Sequence, residues 1–285
     1  MRVFTHIVLS SLLGTSPALA AGGADAQACG EGCTSYRTSR AAFEAVLDRQ
    51  PRVLGIGEYH EVEGAPKVAS AIKRFTKDLL PSLRGRATSL VVETWIVDSR
   101  CGAPAQQAVA EVKKVTRRPA STEDEVTTLL GAAHDLGIAP HILKLACPEY
   151  QSLLDPKGEL DPEKTLGLVT TKMHAKADEL LDDADDTDGG PKGAVVLYGG
   201  ALHNDLYPDE DMKEFSFGPA FAERTSNRYV ELDLCVPEYV ADDPGLKAEP
   251  WFAAAMKLTS KGRVVLMNPR PGSYVLLFPR TVKSN

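Results

Sequence analysis

The sequence predicts an α/β protein with a mixed, mainly parallel central sheet, flanking helices and a C-terminal β-hairpin. Three observations carry this. Short apolar runs, Leu90-Val91-Val92 and Ala194-Val195-Val196-Leu197, fit strands buried on both faces of a parallel sheet. Segments with helical spacing alternate with such runs, the pattern of a sheet covered by helices. At the end of the chain, Pro269-Arg270-Pro271-Gly272 separates two strand-like runs as a turn does.

Taken in order, Arg40 to Arg49 has helical spacing, with Ala41, Phe43, Val46 and Leu47 on one face, and Pro51 stops it. Arg52 to Ile56 is the first strand, followed by an acid-rich loop from Gly57 to Gly64. Pro66 fits a first helical position, and Val68, Ile72, Phe75 and Leu79 make an apolar stripe as far as Pro81. Thr88 to Glu93 is the second strand, and Pro104 to Val115 reads as a helix. Ser121 or Thr122 caps the next helix, which ends at Gly137, and Ile138 to Leu145 is the third strand. Asp161-Pro162 opens the longest helix, Glu163 to Leu181, followed by a solvated acidic tract from Asp182 to Lys192. Gly193 to Tyr198 is the fourth strand. Tyr229 to Leu234 alternates apolar and acidic residues, which predicts an edge strand with one wet face. Trp251 to Leu258 is helical, and Arg263 to Met267 and Tyr274 to Phe278 form the hairpin.

Residues 1–20 read as a signal peptide: a charged Met1-Arg2, an apolar stretch, and an Ala18-Leu19-Ala20 cleavage pattern. A lipoprotein reading fails because Cys29 lies too far downstream. Residues 21–37 form a cysteine-containing arm, and residues 38–285 are one domain. The chain is expected to be exported, to the periplasm or the extracellular space. Net charge is −7, with no basic stripe, which argues against nucleic acid as a partner. After the N-terminus no apolar run is long enough for a transmembrane segment.

Export makes disulfides the default for cysteines. Cys29, Cys33, Cys101, Cys147 and Cys235 are an odd set, so at least one does not pair within the chain. Cys29 and Cys33 suit a clasp on the arm, and no second close pair exists to complete a metal site. Cys101 and Cys147 each follow a predicted strand by a few residues, which suggests a bridge along one sheet edge.

The chemistry concentrates at strand ends. The first strand runs into Gly57-Glu58-Tyr59-His60, the second ends in Glu93, and the fourth leads through Gly199-Gly200 to His203. If these strands are parallel neighbours, Glu58, His60, Glu93 and His203 converge where open α/β sheets bind ligands. Two imidazoles and two carboxylates suit a divalent metal, or a general base with orienting acids. By chance alone a G-x-x-H pattern is expected roughly half a time in this composition, and G-E-x-H roughly 0.03 times, so only the second is a signal by itself. His141, His134 and His174 are weaker candidates, and Asp205 reads better as a turn residue than as an acid orienting His203.

These motifs, Gly57-Glu58-Tyr59-His60, Glu93 and Gly200-Ala201-Leu202-His203, resemble those of the ChaN/Tiki/erythromycin-esterase superfamily over residues 52 to about 205. The short G-E-x-H spacing is similar to the ChaN-like and Tiki-like branches; erythromycin esterases have a longer one. The resemblance implies an α/β sandwich with Glu and His clustered at strand ends. It also implies several activities: Tiki-like members are metal-dependent proteases, erythromycin esterases use a histidine base, and ChaN-like members bind haem. Carried over, Glu58, His60, Glu93 and His203 are the catalytic set and the metal-ligand set. The expectation is an exported, metal-dependent hydrolase of a peptide or small-molecule substrate, an esterase or a peptidase. The alternative is a haem- or metal-binding protein without catalysis, with Tyr59 or Tyr207 as candidate haem ligands.

Overall fold

A computed structural model describes residues 25–61, 64–98, 101, 121–185 and 193–281. The signal-peptide segment and the helix expected over residues 104–115 lie outside them. The architecture is α/β, as the sequence predicts. The described strands form one sheet in the order β1-β2-β8-β9-β7-β3-β6-β4-β5. These are β1 Gln27–Gly30, β2 Cys33–Tyr36, β3 Val53–Glu58, β4 Ala87–Val97, β5 Ala139–Leu145, β6 Ala194–Gly200, β7 Tyr229–Cys235, β8 Val264–Arg270 and β9 Ser273–Leu277. The block from β9 to β5 is parallel, while β8 and β2 pair antiparallel at the side of the terminal hairpin.

Alternation along the strands sends side chains to two cores. Leu54, Ile56, Leu90, Val92, Val196 and Tyr198 face Phe43, Phe75, Leu79 and Leu129. Val53, Val91, Val195 and Leu197 face Met173, Ala177 and Leu181 of the long Pro162–Asp185 helix, with Phe217 and Phe221. Each fully buried side chain of this size contributes about 1.5–3 kcal/mol relative to exposure.

Three local differences from the sequence reading have physical reasons. The helix expected from Pro66 begins at Ala71, because Ser70 caps it by accepting from the Lys73 amide at 3.1 Å. It then widens into a π turn over Phe75–Leu79 and tightens into a 3-10 turn at Pro81, which has no amide hydrogen to continue the ladder. The alternating strand β7 is not at an edge. It lies between β3 and β9, and its acids Glu231 and Asp233 point into the fold. Alternation reports two unlike faces; it does not report that the polar one is wet.

Cys29–Cys33 closes the β1–β2 turn, and Cys101–Cys147 ties the segment after β4 to the helix after β5. Cys235 is unpaired and buried. No helix of the described residues is long and apolar enough to cross a membrane.

Candidate functional site

Because β7, β3, β6 and β4 are parallel neighbours, their carboxyl ends share one edge. Glu58 is the last residue of β3 and lies in register with Gly200 of β6. Glu93 sits where the β4–β5 register slips between Val92 and Trp95, a bulge of the kind that re-aims a side chain. The re-aimed carboxyl lies across β6 and accepts the Gly200 amide at 2.5 Å. The two glycines leave room for this approach: a Cβ at Gly199 would stand 2.8 Å from Glu93 Oε2, and one at Gly200 would stand 3.0 Å from His60 Nε2, so either would displace those side chains.

A hydrogen-bonded line then runs outward from the core. Tyr198, buried, donates its hydroxyl to Glu58 Oε2 at 2.6 Å. Glu58 Oε1 lies 2.8 Å from His60 Nδ1. With the carboxyl accepting there, Nδ1 carries the hydrogen, and Nε2 presents its lone pair. Nε2 faces Glu93 Oε2 at 3.9 Å, beyond direct hydrogen-bond range and suited to a bridging water. Behind Glu58 and Glu93, on the side of Ile72, Val92, Val126 and Tyr198, is a cavity of about 10 Å³, the size of one water, which His60 does not line.

His203 is placed differently. The G-x-x-H spacing puts it one turn into the Ala201–Asn204 helix, 2% exposed, facing the Pro162–Asp185 helix. Its Nδ1 lies 2.7 Å from Thr170 Oγ1 and 3.1 Å from the Phe215 carbonyl. A carbonyl only accepts, so this nitrogen carries the hydrogen. The His203 carbonyl accepts from the Phe217 amide at 2.9 Å, which pins the following loop. The structure thus gathers Glu58, His60 and Glu93 and seats His203 in a cluster of its own. Among the described residues no group of three or more His, Cys, Asp or Glu side chains is arranged to hold a metal ion.

A second acidic cluster lies on the opposite face. Glu231 Oε2 accepts the Leu206 amide at 2.9 Å. Asp233 Oδ1 is 3.4 Å from Asn204 Nδ2, which also donates to the Gly55 carbonyl at 3.3 Å. Burial pushes Glu231 up to about 7, and Asp205 adds to the rise. Burial, then the charge of Glu231, pushes Asp233 well above the usual carboxylate range.

The remaining candidates are accounted for by their neighbours. Asp205 Oδ1 accepts the Tyr207 amide at 2.8 Å, a turn interaction. Tyr207 donates its hydroxyl to the Pro271 carbonyl at 2.7 Å and lies under Arg270. Burial raises the Tyr59 phenol well above its ordinary value, which disfavours the tyrosinate form a haem iron needs. Burial lowers His141, with Lys176 adding to it, His174 stacks on Phe221, and exposed His134 neighbours Asp135.

Tyr198, the Gly200 amide, Thr170, Asn204 and Asp233 were not visible as site residues in the sequence. Tyr198 and the amide reach their partners across 140 and 107 residues. One usable signal was Gly57, where a Cβ would collide with Asp233 Oδ1 and stand 2.5 Å from Asn204 Oδ1. A glycine before a functional Glu marks something packed against the strand.

Fold and site together define an α/β protein with a Glu–His–Glu cluster at the carboxyl edge of its parallel strands. No family model, curated protein or solved structure matches the chain.

Proposed function

We propose that the chain is an exported hydrolase of ester or amide bonds in which His60 activates water. The observation that carries this is the line Tyr198–Glu58–His60, which ends with Nε2 facing Glu93 across a gap of one water. His60 Nε2 takes a proton from that water as its oxygen attacks the substrate carbonyl carbon. The imidazolium, steadied through Nδ1–H by Glu58, returns the proton to the leaving group as the carbon–oxygen or carbon–nitrogen bond breaks. Glu93 orients the water and faces the charged ring. A positioned base of this kind contributes about 10²–10⁴-fold. The resemblance of Gly57-Glu58-Tyr59-His60 to the ChaN/Tiki/erythromycin-esterase motifs supports a hydrolase, and the leader-like residues 1–20 and two disulfides support export.

The convergence of His60 Nε2 and Glu93 Oε2 also favours a second reading, a divalent ion between them. Among the described residues those two donors are fewer than the three protein ligands common at catalytic zinc, with His60 Nδ1 engaged by Glu58 and His203 Nδ1 by Thr170. A panel of activated esters and peptides, assayed with and without chelator, tests both readings. Chelator-resistant turnover lost in His60→Ala supports the first; turnover lost on chelation and restored by a divalent ion supports the second. Silence across the panel, with a Soret band on haem addition, would instead support a binding protein.

A further inference from the structure

We infer that Asp233 holds a proton at neutral pH and donates it to the side-chain oxygen of Asn204, tying the Ala201–Asn204 turn to the strand that carries Glu58. This goes beyond the hydrolase reading and does not depend on it. The geometry begins at Gly57. Asp233 Oδ1 and Asn204 Oδ1 both crowd the side where its Cβ would stand, so two acceptors share one small space. Asn204 is 1% exposed, and its Oδ1 is buried with no hydrogen-bond partner among the described residues. Reversing the amide does not help. It would set Oδ1 against the Gly55 carbonyl and Asp233 Oδ1, the two oxygens that Nδ2 now serves. A buried acceptor without a donor costs about 1–3 kcal/mol. A donor that can be supplied without moving the backbone is a proton on the neighbouring Asp233 carboxyl, which Asn204 Nδ2 already meets at 3.4 Å.

The surroundings favour the neutral form. Glu231, two residues earlier on the same face of β7, is itself buried and acidic. Asp205 acts on Asp233 from the loop after the turn, and Asp233 in turn raises Tyr229, Tyr59 and Cys235. Asp243 acts on the same Tyr59 and Cys235. The nearby cation is Arg270, whose charge acts on Asp205 and Glu231. No ion pair joins Asp233 to a Lys or Arg among the described residues.

Infrared spectroscopy reads this proton directly, with no substrate. At pH 7 the wild type should show the carbonyl band of a buried protonated carboxylic acid. The band should be retained in Glu231→Gln and missing in the double variant Glu231→Gln/Asp233→Asn, because Glu231, raised to about 7, contributes to the wild-type band at this pH. A Glu231→Gln variant without the band, or a band that survives in the double variant, overturns the inference. Asp233→Asn should also release about one proton fewer on unfolding at pH 7, and an unchanged number likewise overturns it. Should Asp233→Asn not fold, Glu231→Gln carries the test: retention of the band at pH 7 supports the assignment and its loss overturns it.

Discussion

The two faces of the sheet carry the same kind of residue and put it to different use. On one face Glu58 receives two donors, Tyr198 Oη and His60 Nδ1–H, and sits where the strand opens toward an imidazole and a water-sized cavity. On the other, Glu231 and Asp233 lie deeper along β7; Glu231 is met by the Leu206 amide and the Ser273 side chain, and Asp233 by the Asn204 side-chain amide. The first arrangement favours a negative charge and aims it at the His60 imidazole. In the second, burial outweighs those contacts, so both carboxyls are raised above the usual range. Register produces the contrast: Gly57 is level with Asp233 and Glu58 with Leu234, so adjacent residues of one strand serve opposite faces.

The largest test of this contrast is at His60. His60→Ala should lower kcat of any substrate found by about 10²–10⁴-fold, while thermal unfolding shifts little. Glu58→Gln should follow it in direction; equal activity in either variant removes the first cluster from the chemistry. The second cluster should answer to pH instead. Glu231 is raised from 4.5 to about 7, so its protonated form stabilises the fold. That stability is fully present below 4.5 and is lost as pH rises to about 7. The loss should be on the order of 3 kcal/mol in denaturant titrations and should vanish in Glu231→Gln. A wild type that gains stability over that window contradicts the assignment.

Gly57→Ala tests both clusters at once, because its Cβ would press on Asp233, Asn204 and Ala201 behind Glu58. Overpacking of this kind costs about 1–3 kcal/mol, and activity should fall with stability. The smallest effect should come from Tyr198→Phe, which removes one hydrogen bond to Glu58 and leaves the ring packed on Phe75. A fall in kcat of roughly tenfold, with KM held, fits a positioning role.

Much of the frame was legible in the sequence. Apolar runs such as Ala194-Val195-Val196-Leu197 mark strands covered on both faces, and the Glu58–His60 spacing pointed to the strand end where these two side chains meet Glu93. What escaped was set by contacts between distant segments. Strand β7 read as an edge because its acids looked wet; Glu231 is buried and Asp233 half-buried because Leu206, Asn204 and Ser273 reach them from elsewhere in the chain. His203 could be placed after a double glycine, but one helical turn carries it to Thr170 rather than to His60. Tyr198 gave no sign of its role, since a tyrosine closing an apolar strand is ordinary packing until a carboxyl is found 2.6 Å away.

The most direct measurement of the central claim is turnover of an ester and peptide panel by chelator-treated wild type and His60→Ala side by side. Hydrolysis is expected to resist the chelator and to be lost in His60→Ala. Hydrolysis that persists in His60→Ala, or that disappears with the chelator and returns with a divalent ion, would contradict it.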